Sequence, residues 1–347
     1  MAKAKIVDAH VHLGSREAIE ELREQMRALS FRAMNIVATI NRKAVNANRP
    51  AFQAKLAYPD EFYVFCGMDH SEYWLTGKKN PETIAAQVEK MTKAGADGFK
   101  LIEGKPTTRK YLPIAPDDAY FDGFFAECEK RAVPLLWHVA DPEEFWDPAK
   151  TPDWALSRGW GYGPQDVPKE TLYDEVAQVL SRHPKLRIIF AHFYFLSADL
   201  ARARRFLDEH PAVGIDLAPG VEYLHNLSRN PEAARQFFLD YHNRIYFGTD
   251  LSNGYKPGEV QTRSGIVTRF LETDDAYPVP ADADFLLGKA KDGEIRGIAL
   301  PKDAVAEIEW KNFEKLAGKK PRRPDKKLIE ALDKELEEKA AQLSKKA

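Results

Sequence analysis

The sequence predicts an α/β fold, a single (β/α)8 barrel of the TIM type with long loops after strands 5 and 8 and extra C-terminal helices. Three observations carry this. Eight short β-branched or aromatic runs alternate with amphipathic helical stretches. Histidine or aspartate repeatedly finishes an apolar run, at the strand end where barrel enzymes place their chemistry. The longest connections also follow strand ends, as functional loops do.

The predicted strands cover 5–12, 33–40, 63–69, 98–103, 134–141, 187–193, 213–218 and 244–251. Helical periodicity falls on 15–29, 81–94, 119–131, 171–182, 197–209 and 231–242, each returning the chain for a right-handed crossover to the next parallel strand. Eight such units favour a closed barrel; an open doubly wound sheet is the alternative. Two connections break the short-loop rule: 142–169, rich in Trp, Pro and Gly, and 252–261, with a further irregular stretch at 274–293. The barrel is expected over 1–318 and a Lys/Glu-rich helical extension over 319–347, opened by Pro321 and Pro324, with Leu328, Leu332, Leu336 and Leu343 as one apolar stripe. Interleaved charges make that extension a surface or packing helix rather than a nucleic-acid tail.

With 44% apolar and 30% charged residues, the composition is that of an ordinary globular protein. A net charge of -2 argues against a nucleic-acid or membrane partner and leaves a small molecule as the expected one. Cys66 and Cys128 are isolated, offering neither a disulfide framework nor a CxxC site. Lys3 and Lys5 lead directly into a strand pattern with no apolar leader, and no stretch is long enough to span a bilayer, so a cytoplasmic setting is expected.

Strand alternation places Asp8, His10 and His12 on one face, so two imidazoles can meet one ion. A His-x-His pair alone is a modest signal. Its weight comes from His138, His192 and Asp250, each ending a later apolar run in the same manner. A lone histidine at any of these places could be a satisfied rim residue; several in register make coincidence unattractive. Imidazoles with a carboxylate suit Zn²⁺ or a similar divalent ion and leave a position for water. Asp250 could both bind the metal and take that water's proton.

Asp-x-His-x-His on the first strand, His138 ending the fifth, Pro-x-Leu-x-Ile-Ile-x-Ala-His on the sixth and Phe-Gly-Thr-Asp on the eighth resemble the amidohydrolase superfamily, in its amidohydrolase-related branch. Asn312 to Leu316 is similar to the Asn-x-x-x-Leu helix that closes those proteins, and the resemblance covers about 5–318. It implies His10, His12, His138 and Asp250 as metal ligands, and His192 as ligand to a second metal or as acid and electrophile. A second ion would need a carboxylated lysine on the fourth strand. Lys100 stands there but could equally pair with a substrate carboxylate, and one ion per chain is the preferred reading. The resemblance also implies a possible homodimer.

Lys105, Arg109 and Lys110 follow the fourth strand and could hold an anionic group, while Trp137, Trp146, Trp154, Trp160 and Tyr162 could line an aromatic pocket. Lys100, Arg109 and Trp137 are the substrate-binding candidates chosen. Asp69, His70, Glu103, Asp141 and Asp216 rank lower, as supporting or helix-capping groups; His183, His210, His225 and His242 read as structural. The expected activity is metal-dependent hydrolysis of an amide, ester or lactone in a small carboxylated or cyclic substrate, with Asp250 and His192 catalytic. Non-oxidative decarboxylation of an unsaturated or aromatic acid is the alternative, and a non-catalytic ligand-binding barrel the alternative of another class.

Overall fold

Eight strand positions pair in chain order, all parallel: β1 (Val7–His12), β2 (Ala33–Val37), β3 (Phe62–Gly67), β4 (Gly98–Gly104), β5 (Leu135–Val139), β6 (Ile188–Phe190), β7 (Val213–Asp216) and β8 (Ile245–Tyr246). The computed structural model describes residues 5–41, 45–219, 223–279 and 293–346. A ninth piece, β9 (Leu251–Ser252), pairs with β1. Between β8 and β9, Ala9 N donates to Phe247 O at 3.0 Å and Asp250 N to His10 O at 2.9 Å. The last strand is thus zipped to the first and the barrel closes. The expected strand over 244–251 is split in two because Asp250 takes φ 53°, outside the extended region.

Both faces of these strands are buried, as a parallel sheet under helices requires. Inside the barrel Val7, Ala9, Phe65, Leu136, Ile189 and Tyr246 pack with Phe313 and Leu316. The helix Asn312–Ala317 carries these last two, and Asn312 Nδ2 secures it by donating to His242 O at 2.6 Å and Ile245 O at 2.8 Å.

The helix Pro81–Ala94 matches its sequence signals: Pro81 opens it, the Asn80 side chain accepts from Thr83 N, and Gly95 ends it at φ 108°. A Cβ on Gly95 would lie 2.7 Å from Pro324 Cα, so the same glycine lets the C-terminal connector dock. Among the helices that escape the sequence reading, the two longest have a clear reason. In Asn48–Ala57 the buried Lys55 conceals the apolar face made by Ala51, Phe52 and Ala54. In Pro257–Glu272, whose first five residues are assigned above to a loop, buried Arg263 and Ser264 interrupt the apolar pattern. Of the stretch 274–293, the described part forms the antiparallel pair Ala276–Pro278 with Glu294–Arg296; 280–292 lie outside the described residues.

The C-terminal helix Lys326–Lys346 forms as expected and packs on the barrel's outer helices. Its buried stripe begins at Ile329 and runs through Leu332, Leu336 and Leu343, whereas Leu328 is 40% exposed and faces away. Leu343 joins Ile40, Val45 and Trp74. Below the barrel, Lys55 and Asp97 form a fully buried ion pair; Lys55 Nζ also donates to Gly95 O at 2.6 Å, and Asp97 accepts from Val64 N and Arg322 N, both at 2.7 Å. Among the described residues no helix is long and apolar enough to cross a membrane.

Lys55→Met strands the Asp97 carboxylate without a counter-charge and is expected to cost about 3–5 kcal/mol. Urea denaturation reads this; a change below about 1 kcal/mol contradicts the anchoring role of the pair.

Candidate metal centre

His10 and His12 stand at the end of β1, and Asp250 crosses from the break in the last strand to meet them. One ligand atom from each lies within 4.8 Å of the others. Asp250 Oδ1 is 3.1 Å from His12 Nε2 and 3.6 Å from His10 Nε2. Strict alternation placed Asp8 beside them, but the β1–β2 register shifts between Asp8 and Val11. Asp8 instead accepts from Thr249 Oγ1 at 2.5 Å, Thr249 N at 3.1 Å and His10 N at 3.0 Å. Burial pushes its carboxyl up to about 7 despite these bonds. It braces the chain break and takes no place in the cavity.

The ring nitrogens are already sorted. His10 Nδ1 lies 2.9 Å from Asp216 Oδ2, His12 Nδ1 3.1 Å from Val37 O, and His192 Nδ1 3.1 Å from Ala218 O. Each partner can only accept, so each Nδ1 carries the hydrogen; the lone pairs at Nε2 turn toward the cavity, that of His10 facing Lys100 Nζ at 3.0 Å. Burial, aided by the Lys100 ammonium, pulls His10 down to about 4, which keeps it neutral. His12 Nε2 and Asp250 Oδ1 are therefore two acceptors facing each other at 3.1 Å. Such a pair repels unless a cation or proton lies between, and nitrogen and oxygen donors spaced this way suit one ion at roughly 2.0–2.2 Å per bond. The donor set fits a divalent metal.

Asp216, at the end of β7, organises the neighbouring histidine as well. Its Oδ1 accepts from His192 N at 2.7 Å and from Ala218 N at 3.1 Å. Burial would raise this carboxyl, but His10 and His192 keep it below its ordinary value. His192 opens a left-handed turn in which His192, Phe193, Tyr194 and Phe195 all have φ between 49° and 57°. No glycine relieves it, and such a conformation costs roughly 1–2 kcal/mol per residue. Burial of the three aromatic rings and a bond from Tyr173 OH to Tyr194 O at 3.1 Å help to hold it.

A cavity of about 430 Å³ opens over this cluster and takes in His10, His12, Lys100, His138, His192 and Asp250. Lys100 Nζ lies 3.0 Å from His10 Nε2, and burial lowers its pKa to about 8. His138 enters the cavity but stands outside the converging group of three. Its Nε2 faces Asp141 Oδ1 at 3.2 Å, in a network where Lys105 Nζ is 2.7 Å from the same oxygen and Tyr162 OH donates to Oδ2 at 2.5 Å. Lys105 also lies 4.2 Å over the Trp160 ring.

Two substrate-binding candidates are misplaced. Arg109 turns away to Glu175, at 2.6 Å, on the helix Lys169–Arg182. Trp137 is fully buried on the outer face of β5, stacked on Phe125 and Phe190, because its neighbour His138 takes the inward position. Sequence reasoning missed Arg158 and Tyr255, which line the cavity from the two long post-strand segments, where that placement was the available signal, and Arg263, which reaches it from the helix Pro257–Glu272. Of the other candidates, Trp154 and Trp160 line it, His70 pairs with Glu103 at 2.9 Å, and Asp69 binds Lys339 at 2.8 Å.

Asp216→Asn removes the charge that orients His10. Metal titration of the variant is expected to show about 10–100-fold weaker binding; unchanged affinity contradicts the orienting role.

A sequence model for a family described as Amidohydrolase matches residues 7–318. No curated protein matches the chain. Among solved structures, 4-oxalomesaconate hydratase from Rhodopseudomonas palustris aligns with a TM-score of 0.56 at 12% identity, covering 96% of this chain and 99% of that one. An amidohydrolase from Burkholderia multivorans with bound zinc aligns at 0.53 and 15% identity, covering 92% and 100%. 2,6-Dihydroxybenzoate decarboxylase from Rhizobium aligns at 0.51 and 14% identity, covering 90% and 98%. At these identities the likeness is one of fold; the match across residues 7–318 shows that the chain belongs to the amidohydrolase family.

Proposed function

We propose that this chain is a metal-dependent hydrolase acting on a small carboxylated substrate, an amide, ester or lactone. The observation that carries this is the convergence of His10 Nε2, His12 Nε2 and Asp250 Oδ1 at the floor of a cavity whose other charges are mostly cationic. A divalent ion, with zinc the first choice, would supply Lewis acidity there and bring the pKa of water toward about 7. The zinc-bearing relative from Burkholderia multivorans supports that choice.

The chain's own residues perform the remaining work. Lys100 and Lys105 reach the cavity beside the cluster, a cationic wall that favours an anionic substrate, while Arg263 is matched by Glu259 at 3.0 Å. Phe145, Trp154, Trp160 and Tyr255 wall off water. Asp250 accepts the proton of the attacking water. His192 presents a bare Nε2 in its neutral form, so it must first take a proton before it can donate to a carbonyl oxygen or leaving group. It is thus a proton carrier rather than a fixed electrophile.

Decarboxylation of an aromatic or unsaturated acid is the second reading, favoured by Lys105 lying against Trp160, which places a cation and a ring face on one wall. A panel of carboxylated amides, esters, lactones and aromatic acids, followed by mass spectrometry with carbon dioxide trapping, separates the two. Products whose masses together equal substrate plus one water support hydrolysis, with activity and bound ion lost together in His12→Ala. Carbon dioxide without water addition overturns it. Purified protein holding only trace metal, unchanged in His10→Ala and His12→Ala, would point to a non-catalytic binding barrel.

A further inference from the structure

Arg263 is among the largest side chains that the fold buries completely. It rises from the helix Pro257–Glu272, where Glu259, one turn earlier, accepts from its Nε at 3.1 Å and its Nη2 at 3.0 Å through a single oxygen. The Tyr255 ring lies 4.3 Å from the guanidinium. Nη1 turns to the strand break, 3.5 Å from Thr249 O and 3.4 Å from Asp250 O. At this range the cation acts on the two carbonyl dipoles more by its charge than by a directed bond. A buried guanidinium is costly unless its charge and donors are used. Glu259 answers the charge, and two successive carbonyls face the nitrogen that Glu259 does not take.

Those carbonyls belong to the place where the backbone is least able to hold itself. Asp250 takes φ 53° without being glycine. The amides of this turn are already held: Thr249 N donates to Asp8 Oδ1 at 3.1 Å and Asp250 N to His10 O at 2.9 Å. A small rotation of the peptides on either side of Asp250 would swing its carboxylate, whose Oδ1 stands 3.1 Å from His12 Nε2. We propose that Arg263 is a positioning residue for the metal centre. It holds the carbonyls of Thr249 and Asp250 while Asp8 and His10 take the amides, and so fixes the left-handed backbone that aims the Asp250 carboxylate at the ion. Glu259 and Tyr255 keep the guanidinium in place. This rests on the metal-dependent reading above and deepens it. Because Glu259 answers its charge, what Arg263 contributes at the cavity wall is position rather than attraction for an anion.

Zinc titrations of the chelator-stripped protein test this. Arg263→Met is expected to bind zinc about 10–100-fold more weakly than the unaltered protein. Arg263→Lys, which keeps a charge beside the carbonyls, should recover part of that loss. Glu259→Gln leaves the guanidinium without its charged partner and should weaken binding in the same direction, even if Arg263→Met fails to fold. On an Asp250→Ala background neither Arg263→Met nor Glu259→Gln should weaken zinc further, because the residue through which they act is gone. Unchanged affinity in the folded variants overturns the proposal. So do losses that persist in full without Asp250, or that Arg263→Lys leaves unrelieved. Failure of the metal-dependent reading is a different result: the unaltered protein itself would bind no zinc, and the proposal would fall with it.

Discussion

The buried carboxylate of Asp216 is the constraint on which the centre depends. One oxygen accepts the His10 Nδ1 hydrogen and the other the His192 amide, so one side chain from β7 fixes an imidazole on β1 and the left-handed turn after β6. An ionised carboxylate with no exposure is costly unless every lone pair is used. Here Ala218 N supplies a further donor. The result is directional: with their Nδ1 hydrogens committed outward, His10 and His192 turn their Nε2 lone pairs to one cavity, where that of His10 meets Lys100 Nζ. A donor set arranged in advance in this way loses little freedom when an ion binds.

Around that centre the fold spends stability on geometry. Asp250 and four successive residues from His192 to Phe195 occupy left-handed backbone without glycine, which holds only when surrounding packing over-determines it. Asp8 supplies that support at the strand break by bonding Thr249 twice, and the aromatic layer does so behind His192. Farther out, Leu343 of the C-terminal helix packs on Trp74, whose indole donates to Tyr111 O at 3.1 Å, and Tyr111 lines the cavity. The extension therefore packs behind the wall of the site, two contacts removed from the cavity.

The barrel was legible because strands buried on both faces read as unbroken apolar runs ended by a polar residue, and all eight strand positions were recovered that way. The site was legible where a side chain's direction follows from strand position alone, as for His12, His138 and Lys100. Elsewhere tertiary contacts decide. Asp8 left the shared face through a register shift that no residue type announces. Arg109 was captured by Glu175, 66 positions away in sequence. Trp137 was a failure of inference rather than of signal, since alternation with His138 already sends it outward. The helix Asn48–Ala57 stayed hidden because its buried lysine finds a partner, Asp97, that only the folded chain brings near.

Anomalous diffraction from crystals grown with zinc tests the central claim most directly. The account predicts one ion per chain coordinated by His10 Nε2, His12 Nε2 and Asp250, with Asp216 still bonded to His10 Nδ1. An anomalous peak seated between His138 and Asp141, or no peak at the end of β1, would contradict it.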